Sequence, residues 1–168
     1  MNPLPDKLNL WCGHDYRKGW WNVDSTVPGC DQTFDLNATV WPLPSRHFGQ
    51  AVMFDVLEHL SDTVGALGEV YRVLRPGGEI EGTVPYWASE YAWRDPTHRR
   101  AFSDRTFEQL CSSCGWAGCG LELVDVRLGV YSDKFAHQIR NALPFRRLLR
   151  HLLLNMYDRI YFKMRRPL

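Results

Sequence analysis

Four aromatic side chains, Tyr86, Trp87, Tyr91 and Trp93, share residues 86–100 with Arg94, Asp95, His98, Arg99 and Arg100. Aromatic faces make flat apolar walls, guanidinium groups bind anions, and an imidazole titrates near neutrality. His98 is therefore a candidate base, able to take a proton from a bound molecule. Asp95 is placed to orient that imidazole, or else to cap the turn at Pro96. Tyr86, Trp87, Trp93, Arg94 and Arg99 are candidate substrate contacts. Aromatics mixed with arginines also suit single-stranded nucleic acid. No recognised reader motif accompanies them, so nucleic acid is not the expected partner.

A second group is Asp55-Val56-Leu57-Glu58-His59. Two carboxylates and one imidazole are hard-cation chemistry, suited to Mg²⁺ or Mn²⁺. Three ligands from one turn rarely complete a site, so the expectation is no metal, with these residues on the rim of a ligand crevice. Cys111, Cys114 and Cys119 suggest zinc by spacing, but no fourth ligand follows at a usual distance. They read as the end of a helix closed by Gly115.

Elements must hold these groups in place. Lys7 to Trp11 and Trp21 to Asp24 read as short strands, and Thr33 to Leu36 as a shorter third. Residues 51–57 are an apolar run broken only by Asp55, as in a buried parallel strand. Ser61 and Asp62 then cap a helix carried by Val64, Leu67, Tyr71 and Leu74, and Pro76-Gly77-Gly78 stops it. Glu79 to Pro85 is the next strand. Ser103 caps a helix with Phe107 and Leu110 inward, and Leu121 to Val130 alternates as a strand. Phe145, Leu148, Leu149, Leu152, Leu153 and Met156 form one apolar helical stripe, expected to pack on the sheet. Asp158 to Met164 suits a final strand.

Strand and helix alternate through most of this pattern, which predicts a doubly wound parallel sheet with ligands at its carboxyl edge. The N-terminal half departs from it. Gly13 and Trp21 are too close for an ordinary helical crossover, so the first helices are shortened or replaced by loops.

At 168 residues, with 45% hydrophobic and 23% charged, the chain reads as a single globular domain spanning 1–168. No signal peptide or membrane span is visible, and a cytoplasmic location is expected. Charge is uneven. Residues 1–139 hold 12 Lys and Arg against 18 Asp and Glu, whereas residues 140–168 hold 8 against Asp158 alone. That basic end offers a contact for an anionic membrane surface or an acidic protein, or is a solvated helix face.

Several short motifs, in order, carry a resemblance. They are Leu8-Asn9-Leu10-Trp11-Cys12-Gly13, Gly19-Trp20-Trp21-Asn22-Val23-Asp24, Trp41-Pro42-Leu43-Pro44, Val56-Leu57-Glu58-His59-Leu60 and Arg72 to Gly78. Val84-Pro85-Tyr86, Asp95-Pro96-Thr97-His98-Arg99 and the closing Tyr157 to Phe162 continue the series. Together they resemble a compact class I S-adenosylmethionine-dependent methyltransferase domain of the type 11-like kind. The resemblance implies a Rossmann-like, mostly parallel seven-stranded sheet with one reversed strand near the C-terminus. Residues 7–60 would be the cofactor half. Residues 61–168 would be the substrate half, with the basic C-terminal helix and final strand.

It also implies S-adenosylmethionine as cofactor and a small polar, sugar-like methyl acceptor. By the resemblance, Trp11, Cys12 and Gly13 form the turn against the methionine part, and Asp24 accepts from the ribose hydroxyls. Asp35 and Leu36 meet the adenine, while Phe54, Asp55 and His59 line the same crevice. Trp11 departs from the pattern, since the family has glycine there. Three readings stay open. The indole fills the pocket and abolishes binding, or it swings out and stacks on the ligand, or the pocket is rebuilt for another molecule. A chain with a blocked pocket would be a non-catalytic binding or scaffold protein.

Overall fold

The computed structural model describes residues 4–112, 118–130 and 142–168. Seven strands form one sheet: β1 Lys7–Leu10, β2 Trp21–Asp24, β3 Gln32–Thr33, β4 Phe48–Phe54, β5 Leu74–Pro85, β6 Glu122–Gly129 and β7 Arg159–Arg165. Their order is β3-β2-β1-β4-β5-β7-β6. The first five strands pair in parallel, and β7 runs antiparallel to both β5 and β6. This is the expected α/β sheet, reversed strand included. Its order turns at β1, which lies between β2 and β4, so the carboxyl ends of β1 and β4 border the crevice where such sheets hold ligands.

Helix α1, Thr63–Val73, links β4 to β5. Asp62 caps it by accepting from the Gly65 N–H at 2.8 Å. Ala66, Leu67, Val70 and Val73 bury its inner face. The expected Pro76-Gly77-Gly78 stop comes after the helix has ended. Strand β5 starts at Leu74, and its register against β4 jumps from Phe48↔Leu74 to Gln50↔Glu79. The glycines shape that irregularity, with Gly77 at φ 75°. Helix α2, Asp104–Cys111, opens on a capping box between Ser103 and Thr106. Its Phe107 ring stacks on Phe162 of β7 at 4.6 Å.

Among the described residues no α-helix lies between β1 and β4. A loop takes that place on the core side, with Trp41 only 1% exposed. A buried loop must satisfy its backbone groups. Two side chains of α1 do this. Glu69 accepts from the Trp41 N–H at 2.6 Å, and Arg72 donates to the carbonyls of Trp41 and Leu43, each at 2.9 Å.

The opposite face of β5 and β7 carries charges. Glu79 pairs with Lys163 at 2.7 Å and Arg165 at 3.3 Å. That explains the alternating sequence of both strands, where a sheet covered on both faces would read as continuously apolar.

The C-terminal stripe departs from expectation. Helix α3 covers only Arg146–Leu149. Phe145, Leu148, Leu152 and Leu154 stand exposed, and only Leu149 and Met156 join the core packing. Phe145 and Asn155 both have positive φ, 56° and 58°, which ends helical backbone at each side. The chain instead turns back to tie Asn155 to Ala88 and Glu90. Cys114 lies outside the described residues.

Candidate functional site

The crevice begins where β1 ends. Trp11 has φ 56° and Gly13 φ 51°, so both residues take the left-handed backbone that favours glycine. A side chain other than glycine pays a strain there of about 1–2 kcal/mol. The position of Trp11 is thus built like a glycine position while carrying an indole. That half-buried indole approaches the His59 ring, centroid to centroid at 5.7 Å. It therefore lies across the crevice from β1 toward the end of β4.

Asp24 anchors the turn from β2. It is 1% exposed. Its Oδ2 accepts from the Gly13 N–H at 2.9 Å. Its Oδ1 accepts from the N–H groups of Thr26 and Val27 and from the Thr26 hydroxyl, at 2.8, 3.0 and 3.1 Å. Burial works to raise its pKa, but the bonds from Thr26, Gly13 and Val27 outweigh it and hold the carboxyl below its ordinary value. Asp24→Asn puts an amide N–H against the Gly13 N–H or against Thr26 and Val27. We expect a loss of about 1–3 kcal/mol, read as a lower urea midpoint at unchanged slope.

Two residues that the sequence reading passed over complete this anchor. Asn22 is fully buried, donating to the carbonyls of Arg17 and Trp20, each at 3.0 Å, and accepting from the Arg17 N–H. Asn9 donates to the Asp15 carbonyl at 2.7 Å. Together they fix the turn that replaces the first helix. Asparagine in two short apolar strands was the available signal, since strands disfavour it. Cys12 is buried with its sulfur 3.2 Å from that of Cys30, and burial, aided by Cys30, pushes its thiol up to about 12.

The remaining residues expected on the cofactor side scatter. Asp35 is exposed, its Oδ1 accepting from the Asn37 N–H at 2.8 Å. Leu36 is in the core at 3% exposure, where its carbonyl accepts from Trp41 Nε1. Phe54 stands on the other face of the sheet edge, beneath the Arg17 guanidinium at 5.1 Å. Asp55, at φ 52°, accepts from the Thr83 hydroxyl at 2.8 Å and faces Arg159 at 3.6 Å.

The far wall is the loop after β5. Its Arg99 N–H donates to the Glu58 carbonyl at 2.7 Å. That bond brings His98 against His59, ring centroids 4.7 Å apart at 72°. His98 Nδ1 lies 3.1 Å from the Ala92 carbonyl, which only accepts, so Nδ1 carries the proton. The Thr97 hydroxyl donates to Asp95 Oδ1 at 2.7 Å and so must accept from His59 Nδ1, 2.9 Å away. Both imidazoles are therefore Nδ1–H tautomers, with the lone pair on Nε2. Asp95 orients His59 through Thr97, and meets His98 only through the backbone, the His98 N–H donating to the Asp95 carbonyl at 3.2 Å. The Thr97 bonds also hold the Asp95 carboxyl below its usual range. Burial, with His98 alongside, lowers the pKa of His59.

Glu58 sits beneath both rings, 1% exposed. Neither of its carboxylate oxygens has a side-chain hydrogen-bond partner among the described residues. Burial, reinforced by the charges of Asp55 and Asp95, pushes it up to about 8. Arg94 stacks on Tyr91 at 4.0 Å at the mouth of the same cavity. Trp93 and Trp87 are 70% and 44% exposed, with Trp93 Nε1 donating to the Trp87 carbonyl. Arg99 is exposed, and Tyr86 is buried against Tyr157.

Residues 23–81, from Val23 of β2 into β5, match the model of a methyltransferase domain family. A protein of Mycolicibacterium smegmatis named "probable S-adenosylmethionine-dependent methyltransferase" is 31% identical over 106 residues, which is 55% of this chain. Over these stretches the chain is similar to methyltransferases, one of them named as S-adenosylmethionine-dependent. It spans 41% of the length of that mycobacterial relative. A methyltransferase of Archaeoglobus fulgidus has the same fold, with a TM-score of 0.68 over 97% of this chain and 86% of that one, at 14% identity. Haemonchus contortus phosphoethanolamine N-methyltransferase 2, solved in complex with S-adenosyl-L-methionine, superposes with a TM-score of 0.61 at 12% identity. That match covers the whole of this chain and 50% of the nematode enzyme. No helix among the described residues is long and apolar enough to cross a membrane.

Proposed function

We propose that the chain transfers a methyl group from S-adenosylmethionine to an oxygen or nitrogen of a small polar, sugar-like acceptor. One observation carries this reading. The Asp24-anchored turn at the end of β1 and the paired imidazoles of His59 and His98 meet in one crevice at the switch point of the sheet. The backbone of the turn fits the cofactor, because residues 11 and 13 both hold the open, left-handed conformation. Asp24, Asp35 and the turn would hold its nucleoside and methionine parts. The Trp11 indole stands over the methionine end and must rotate away for binding. The cofactor supplies an electrophilic methyl group.

This chain's residues supply the rest. His98 Nε2 accepts the proton that the acceptor loses, and the Ala92 carbonyl keeps the required tautomer. Arg94, Tyr91 and Trp93 offer donors and flat faces to a hydroxylated ring. His98→Ala should keep cofactor affinity and lower turnover by about 100-fold. Release of labelled methyl product checks this, and unchanged turnover would remove His98 from the mechanism.

The position of Trp11 against His59 also favours a second reading, a non-catalytic scaffold. In that case the indole is permanently seated, and the exposed Phe145, Leu148, Leu152 and Leu154 beside the basic C-terminal segment meet a protein or membrane partner. Cofactor titration separates the two.

A further inference from the structure

We propose that Glu58, His59 and His98 form a binding site for a first-row divalent transition-metal ion. The side-chain donor atoms of the three lie within 4.8 Å of one another. They come from two separate segments, joined by the Arg99–Glu58 backbone bond. The ring hydrogen bonds commit each Nδ1 as a donor, to the Ala92 carbonyl for His98 and to Thr97 for His59. Metal-binding histidines are oriented by such outer bonds, which leave Nε2 for the ion.

Glu58 supplies the independent indication. A carboxyl group buried to 1% exposure with no hydrogen-bond partner among the described residues is costly. A cation between it and two imidazoles would satisfy it. Asp55 and Asp95 add negative charge around the cluster, which the neighbouring Arg159 offsets only in part. A cavity of about 180 Å³ adjoins the three residues and gives an ion a way in.

Two nitrogens and one carboxylate oxygen favour Zn²⁺, Mn²⁺, Fe²⁺ or Co²⁺ over Mg²⁺ or Ca²⁺. Three protein donors also leave a position open, as catalytic metal sites do. An acceptor oxygen coordinated there would lose its proton more readily. The ion would then occupy the His98 lone pair and replace that residue as the means of proton removal. Binding of the ion itself stands independently of whether S-adenosylmethionine binds.

The test uses the full chain stripped with chelator and titrated with Co²⁺ under visible absorption, followed by competition with Zn²⁺. The expected result is one saturable site with a visible band of nitrogen and oxygen ligation, displaced by Zn²⁺. Glu58→Gln and His98→Ala, each shown folded by circular dichroism, should weaken binding at least tenfold. Loss of binding in Cys12→Ser or Cys119→Ser, or a thiolate charge-transfer band, would place the ion elsewhere and overturn the proposal. So would the absence of one-to-one binding, or equal affinity in Glu58→Gln, His98→Ala and native protein.

Discussion

Trp11→Gly should bind S-adenosylmethionine roughly 100-fold more tightly than the native chain. The estimate follows from what the indole does. It is half-buried and leans on His59 at 5.7 Å, across the proposed ligand site. Rotating it out exposes apolar surface, and at about 25 cal/mol per Å² a side chain of this size costs about 2–4 kcal/mol to unseat. Glycine removes that cost and suits the left-handed backbone at φ 56°. The same substitution relieves about 1–2 kcal/mol of backbone strain but forfeits the indole's packing, so stability should fall by about 1–2 kcal/mol. Parallel calorimetric and thermal-melt measurements on both proteins check the two halves. Equal affinities would show that the indole does not stand in the ligand's way.

Glu58→Gln should stabilise the chelator-treated protein, and more so as the pH rises. In the folded state burial pushes the Glu58 carboxyl up to about 8 from an ordinary value of 4.5. The native chain therefore favours the protonated form, while the unfolded chain ionises near 4.5. Stability from this group is full below that lower value and is lost as pH rises toward about 8. At about 1.4 kcal/mol per unit, the loss across that interval is on the order of 5 kcal/mol. The native melting temperature should fall between pH 5 and pH 8, and that of Glu58→Gln should stay nearly level. Parallel melting curves for the two proteins would show that Glu58 is not the buried acid described here.

Local signals made much of the fold legible. Asp62 before a periodic run marks the start of α1, and the alternation of Ile160, Phe162 and Met164 marks β7. The apolar run of β4 was visible, although the strand starts earlier, at Phe48. What was hidden depends on distant contacts. Nothing local to His98 says that Arg99 will bond to the Glu58 carbonyl and set two imidazoles face to edge. Glu58 reads as a residue on the crevice rim, and nothing local shows its carboxylate to be buried, because buried carboxylates without partners are rare. The C-terminal leucines show how periodicity misleads. Their spacing is helical, yet the positive φ of Phe145 and Asn155 breaks the backbone and leaves several of them in solvent. Trp11 was legible only as a residue out of place. Its backbone angle supplies the physical reason, and its contact with His59 supplies the consequence.

The most direct test of the cofactor assignment is a calorimetric titration of the folded native chain with S-adenosylmethionine, run beside Trp11→Gly. The account predicts one saturable site in both proteins, weak in the native chain and far tighter in the variant. No binding by either folded protein would contradict it.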